Sequence, residues 1–443
     1  MIRDVDVLVI GAGPAGLAAA YSAASSGARV CIVDDNPLAG GQIWRGGPGK
    51  AGDPRAAQLW QSVCEMPNIS MLQQGRAVLP VDSNALLIET PDSAVSMRYS
   101  RLILATGARE RLLPFPGWTL PGVTGAGGMQ ALAKAGYPIS GKRIVVAGSG
   151  PLLLAVAATL VERGAKVEAI IEQTPRRHLA RFALSLFATP SKLWQAIGLK
   201  TRLRGVRYLP DSYVLEAVGR ERVEQVLVQY GGKQVELACD YLACGYGLLP
   251  NTELAAALGC TIVDGAVRVD YYQRTSVDNI FCAGEGTGVG GVDLSLAEGR
   301  IAGLAATGRP NEAEQFFVES KRWQAFARRL ERAFALRPEL RSLCRPDTIV
   351  CRCEDVPHEE LLPHENWRSA KLHTRCGMGP CQGRVCGGAT SVLYGWTQDA
   401  VRTPVSPARI GSLIGAGDSL PPERPSDDRE FPEPAPVPCS SER

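Results

Sequence analysis

One sequence pattern narrows the possible folds more than any other. A short β-branched run, Val5–Ile10, leads into Gly11-Ala12-Gly13-Pro14-Ala15-Gly16; an Ala-rich stretch, Pro14–Ser25, and a second β-branched run, Arg29–Val33, follow, closed by Asp34. This order predicts strand, tight turn, helix and strand. Gly11 permits the turn, Gly13 lets backbone approach a pyrophosphate, and Gly16 lets the helix lie on the strand. The helix start, with Pro14 and Ala15 in its first turn, offers free N–H groups and partial positive charge to a phosphate. A carboxylate at Asp34 is placed to accept ribose hydroxyls.

The same order returns from Arg143: strand Ile144–Ala147, turn Gly148-Ser149-Gly150, helix Leu152–Arg163, strand Lys166–Ile171 and acid Glu172. Leu153 stands where the third glycine belongs, so this helix is expected to sit farther from its strand. Glu172 suits an unphosphorylated ribose. The second copy therefore reads either as an adenine-nucleotide site for NAD, ADP or ATP on Gly148, Gly150 and Glu172, or as a retained fold with a structural role.

Leu102-Ile-Leu-Ala-Thr106-Gly107-Ala108 lies between the copies, and Tyr241–Leu249 and Ile280-Phe-Cys-Ala-Gly284-Glu285 come after them. The order predicts an α/β protein with two Rossmann-like dinucleotide-binding domains, one split around the other. Residues 1–110 and 245–308 form the first and 111–244 the second. A charged helical connector is expected over 309–344, a small helical Cys-rich domain over 345–400, and a Pro-rich tail over 401–443.

Charge removes several functions. Lys+Arg 48 against Asp+Glu 45 leaves +3, with no long basic block, so whole-chain charge lends no support to nucleic-acid or acidic-lipid binding. The uncharged stretches Val7–Ala28 and Ile144–Val161 are each broken by a Gly-x-Gly turn, which argues against spanning helices. Asp4 and Asp6 sit where a signal peptide would be basic. Thirteen cysteines, six of them from Cys344 to Cys386, then point to a reducing, cytoplasmic setting and to metal or redox chemistry.

Asp34-Asp-Asn-Pro-Leu-Ala-Gly-Gly41-Gln42-Ile43, Ala105-Thr106-Gly107-Ala108 and Thr275…Ile280-Phe-Cys-Ala-Gly284-Glu285 resemble the two-dinucleotide-domain flavoproteins of the pyridine-nucleotide disulfide reductase type. The resemblance implies FAD at the first site. It adds Gly41 and Gln42 beside the flavin, Thr106 and Gly107, and Gly284 with Glu285 toward the ribityl and pyrophosphate part. That superfamily's redox cysteine pair is missing. No cysteine lies between Cys64 and Cys239 and no Cys-x-x-Cys occurs, which removes disulfide-reductase chemistry.

Val350-Cys351-Arg-Cys353-Glu354 and Thr374-Arg-Cys376-Gly-Met-Gly-Pro-Cys381-Gln-Gly-Arg-Val-Cys386 are the most specific feature. Four thiolates make the usual shell of a [2Fe–2S] cluster. Five thiols are offered, and the equal spacing of Cys376, Cys381 and Cys386 leaves the choice open. Cys-x-Cys is poor spacing for zinc. The segment resembles the bacterioferritin-associated-ferredoxin-like [2Fe–2S] domain, whose Gly-Met-Gly-x-Cys-Gln-Gly-x-x-Cys run carries the second ligand pair. That implies Cys351, Cys353, Cys381 and Cys386 as ligands, with Cys376 outside the set.

Over residues 5 to 400 the chain resembles the FAD/[2Fe–2S] subunits of heteromeric amino-acid and amine dehydrogenases: the A subunits of opine oxidases, the B subunit of cyanide synthase, and the α subunits of dye-linked proline and D-hydroxyproline dehydrogenases. The implied partners are an amino-acid-oxidase-like flavoprotein and a small ferredoxin-like polypeptide. Electrons would pass to a quinone or dye, with at most peripheral membrane contact and no nucleic acid. A self-sufficient NAD(P)H-dependent reductase is the competing expectation. No catalytic residue is assigned. Glu298 and Asp293 read as solvated helix carboxylates, and His178, His358, His364 and His373 have no metal-pair spacing.

Overall fold

A computed structural model describes residues 2–45, 47, 52–398 and 401–417. The described residues divide into two compact units, those up to 108 with 250–325 and 401–417, and 109–249 with 326–398.

In the first unit the Ile2–Ile10 strand lies between Val30–Asp34 and Ala94–Leu104, parallel to both, with Ile10 level with Val33 and with Leu104. Ile69–Gln73 extends the sheet beyond Val30–Asp34, and Ile280–Cys282 pairs with the far end of Ala94–Leu104, both parallel. The antiparallel strands Ala85–Glu89 and Arg76–Asp82 complete seven strands among the described residues. Leu8, Val9, Leu102 and Ile103 are fully buried. A strand covered on both faces reads as a continuous apolar run, which is why these segments were legible.

Helix packing sets where the strand ends point. Pro14–Ala24 runs against Val292–Ala306 at very short range. A Cβ on Gly299 would lie 2.3 Å from the Ala15 carbonyl oxygen, and one on Gly303 the same distance from that of Ala19. Only glycine allows so close a backbone approach. The start of the expected tail belongs to this unit as well. Val405 N–H donates to the Val78 carbonyl (2.8 Å), and Arg409 binds Glu89 (3.1 Å) beside the Ile410–Gly417 helix. The Pro-rich stretch from Leu420 lies outside the described residues.

In the second unit, five strands among the described residues form a parallel sheet. Their order is Arg207–Pro210, Lys166–Glu172, Arg143–Gly148, Tyr241–Gly245 and Val123–Gly125. An antiparallel three-stranded sheet, Ser212–Val218, Gln225–Tyr230 and Lys233–Ala238, joins it. The Cys-rich segment is fastened to this fold. Trp118 Nε1–H donates to the Ile349 carbonyl (2.5 Å), Arg345 forks onto Glu216 (2.6 and 3.0 Å), and Arg352 stacks over Trp118. The connector does not stand by itself: its residues to 325 lie in the first unit and those from 326 in the second.

Candidate functional site

At the carboxyl ends of the first unit's parallel strands, the predicted residues meet. Gly11 has φ +108°, and a Cβ there would lie 2.2 Å from the Ala105 carbonyl oxygen. A Cβ on Gly16 would lie 1.8 Å from the Gly11 oxygen, so the helix does rest on the turn. Helix Pro14–Ala24 opens at Gly13 without a side-chain cap, leaving first-turn N–H groups to a ligand. Asp34 is buried; its Oδ2 accepts from Ala12 N–H (2.6 Å), and its Oδ1 accepts from the backbone and side chain of Asn36 (2.8 Å each). An ionised carboxylate keeps further lone pairs for ribose hydroxyls.

The Gly40–Gly41 turn closes against this cradle. Gly40 N–H donates to the Ala12 carbonyl (2.8 Å), and a Cβ on Gly41 would come within 3.0 Å of the Gly13 Cα. Gln42 Oε1 accepts from Arg45 (2.5 Å). Thr106 and Gly107 are clamped by Asn251, a residue that no sequence motif marks. The Thr106 hydroxyl donates to the Asn251 carbonyl (2.7 Å), and Asn251 returns its side-chain amide to Thr106 O (2.9 Å) and its N–H to Gly107 O (3.0 Å).

Two carboxylates hold the Gly284–Thr287 turn. Glu285 turns its carboxylate to Gly291 N–H (3.3 Å), and burial raises its pKa. Glu298 overturns the expectation of a solvated side chain. It is 3% exposed, and its Oε2 accepts from Gly284 N–H (2.9 Å) and the Thr287 hydroxyl (3.0 Å). Burial pushes its pKa up to about 7 despite those hydrogen bonds. Asp293 is corrected too, since it is paired to Arg55 (2.7 Å) and mostly shielded from solvent. The turn lies against the helix start: a Cβ on Gly284 would be 2.7 Å from that of Ala15. A bare glycine cradle, an uncapped helix and a buried acid at the end of the neighbouring strand fit the pyrophosphate and adenosine part of FAD.

In the second unit Glu172 takes the role of Asp34. It accepts from Gly150 N–H (2.8 Å) and Thr174 N–H (2.9 Å), and burial raises its pKa. Leu153 packs into the apolar core, reaching 3.9 Å from where a Cβ on Gly245 would stand. The front of this turn is not open. The Ser149 hydroxyl donates to Phe334 O (3.1 Å), and Gln173 donates to Ala335 O (3.1 Å) while accepting from Arg337 N–H (3.0 Å). The Phe334 ring stands 3.9 Å from a Cβ built on Gly150. Gly150, the residue meant to admit a pyrophosphate, faces a phenyl ring.

The cysteines also come together. Sulfur atoms of Cys351, Cys376 and Cys386 lie within 4.8 Å of one another. Cys381 lies beside Cys386 and Cys353. Cys376, outside the expected set, thus stands inside the nest. Gly377 N–H donates to the Cys351 sulfur (3.5 Å). Glycines let the loop close: a Cβ on Gly379 would lie 2.3 Å from that of Cys353, and one on Gly377 2.5 Å from the Trp367 ring. The nearby histidines are engaged elsewhere, His358 with Tyr394, His364 with Ser369 and His373 with the Ser369 carbonyl. An all-sulfur donor set fits an iron–sulfur cluster.

Comparison with known proteins gives the same architecture. Residues 5–308 match the pyridine nucleotide-disulphide oxidoreductase family. The chain is 31% identical to the first (A-type) component of opine oxidase from Agrobacterium tumefaciens (strain Ach5), across 92% of this chain and 91% of that protein. It is 31% identical to the HcnB component of hydrogen cyanide synthase from Pseudomonas aeruginosa, across 92% and 94%. The solved L-proline dehydrogenase from P. horikoshii superposes with a TM-score of 0.69, at 20% identity, over 93% of this chain and 80% of that one, a likeness of fold.

Proposed function

Since this chain belongs to the pyridine nucleotide-disulphide oxidoreductase family and is an oxidoreductase, we propose that it is the FAD- and [2Fe–2S]-carrying electron-transfer subunit of a heteromeric dehydrogenase. The complex oxidises a C–N bond of an amino or imino acid, of proline, hydroxyproline or opine type, and passes electrons to a quinone or dye. When bound, the flavin accepts electrons in pairs and the cluster passes them singly. Gly11, Gly13, Pro14, Ala15 and Gly16 seat the pyrophosphate and Asp34 the ribose. Gly41, Gln42, Thr106, Gly107, Gly284 and Glu285 border the rest of the cofactor. Glu298 holds the Gly284–Thr287 turn in place. Cys351, Cys353, Cys381 and Cys386 would ligate the cluster, with Cys376 beside them and outside the ligand set.

One observation carries this reading over an NAD(P)H-fed reductase. Phe334, Ala335 and Arg337 occupy the front of the second glycine turn, so a nicotinamide dinucleotide has no seat at Gly150. Electrons then have to enter from another polypeptide, as suits a relative of opine oxidase and cyanide synthase subunits. The second fold serves as structure.

The test is reconstitution. The purified chain by itself should reduce no dye with proline, hydroxyproline or an opine. Adding an amino-acid-oxidase-like flavoprotein chain from the same gene cluster, and a small ferredoxin-like chain where one is encoded, should give turnover. Dye reduction by the single polypeptide would overturn the subunit reading.

A further inference from the structure

Between Glu172 and Asp211 the chain carries eight Arg and Lys and no acidic residue, in a protein whose whole balance is +3. This stretch folds as two helices, Arg176–Ser185 and Pro190–Arg202, joined by a short 3-10 turn. Neither helix contains a fully buried residue. Phe182, stacked edge-on against Phe334, and Arg329, bonded to Ser185 and Thr189, fix the hairpin's inner side. The outer side presents large apolar groups to solvent. Leu184 is 67% exposed, Phe187 70% and Trp194 72%, with Ile197 one turn beyond Trp194 at 46%.

We propose that this hairpin is a docking element for an anionic lipid surface, lying in the headgroup layer without crossing it. Basic residues together with exposed Trp, Phe and Leu are the composition of an interfacial helix. Each Lys or Arg near an anionic leaflet strengthens attachment, and tryptophan favours the headgroup depth. Six of the eight basic residues are arginine, which protein interfaces also favour, and Arg202 pairs with Glu162 (2.9 Å); the lipid assignment rests on the run of basic residues without an acid together with the exposed Trp, Phe and Leu. No helix among the described residues is long and apolar enough to span a membrane, so attachment would be peripheral. Whole-chain charge hid this feature, because the acids that cancel it lie in other segments. The inference stands apart from the electron-transfer reading, which neither its success nor its failure decides.

Flotation of the full chain with vesicles tests it. Protein should float with vesicles of phosphatidylcholine and phosphatidylglycerol in equal parts, stay behind with phosphatidylcholine alone, and be released by high salt. Arg177→Gln with Lys200→Gln should weaken partition about 30-fold. Trp194→Ala should weaken it too, with flavin content and circular dichroism unchanged because the side chain is exposed. Failure to float, binding to the neutral vesicles, or binding indifferent to these substitutions would each overturn the proposal. If Trp194→Ala instead releases a copurifying polypeptide, the hairpin is a protein interface and the lipid proposal is likewise overturned.

Discussion

Glu298 is the residue whose behaviour follows most directly from its surroundings. Its carboxyl is raised to about 7 from an ordinary 4.5. Between those pH values the folded protein keeps a proton that the unfolded chain has released, so stability falls as pH rises from 4.5 to about 7 and stays low above. Glu298→Gln keeps an oxygen for Gly284 and Thr287 and removes the charge. The variant should gain stability over the native protein across that window, by up to about 3 kcal/mol at its upper end. Thermal melts of the flavin-loaded proteins at several pH values check this; parallel profiles would refute it. The sequence hid Glu298 because nothing local marks a helix carboxylate as buried. The signal lies in Gly299 and Gly303, whose spacing lets the helix press onto Ala15 and Ala19 and shut solvent out. Asn251 was hidden for a related reason, since its partners Thr106 and Gly107 are distant in sequence.

Among the elements, the two strand–turn–helix units were legible because fully buried parallel strands and glycine turns each leave a local mark. The cysteine loop was legible in part. Spacing named five thiols, but which of them stand together depends on the fold of residues 350–386. Cys381→Ser and Cys386→Ser should each abolish the rhombic spin-one-half EPR signal of the dithionite-reduced protein, because alkoxide oxygen replaces thiolate poorly on iron. Cys376→Ser should keep the signal, since Cys376 lies outside the proposed ligand set although its sulfur sits within 4.8 Å of those of Cys351 and Cys386. Loss of the signal in Cys376→Ser but not in Cys353→Ser would move the fourth ligand to Cys376. Silence in the native protein would favour zinc. The basic hairpin left a clear mark as well, once charge is read by segment instead of over the whole chain.

At the scale of the whole molecule, two copies of one nucleotide-binding plan have diverged. Both helices start without a side-chain cap, but the first keeps Gly16 against its turn, while the second has Leu153 in its core and Phe334 at its mouth. Mixed anaerobically with NADH, the flavin should therefore keep its absorbance for far longer than a turnover. Bleaching within milliseconds to seconds would mean that the 334–337 segment yields to the dinucleotide.

That short segment has a consequence beyond ligand fit. A flavin open to the cell's abundant reduced nicotinamide would be reduced whether or not substrate were present, and would hand the surplus to oxygen as peroxide. On the proposed assignment, three hydrogen bonds and one phenyl ring at the second glycine turn would deny reduced nicotinamide a seat, and current would flow only when the proper fuel is being burned.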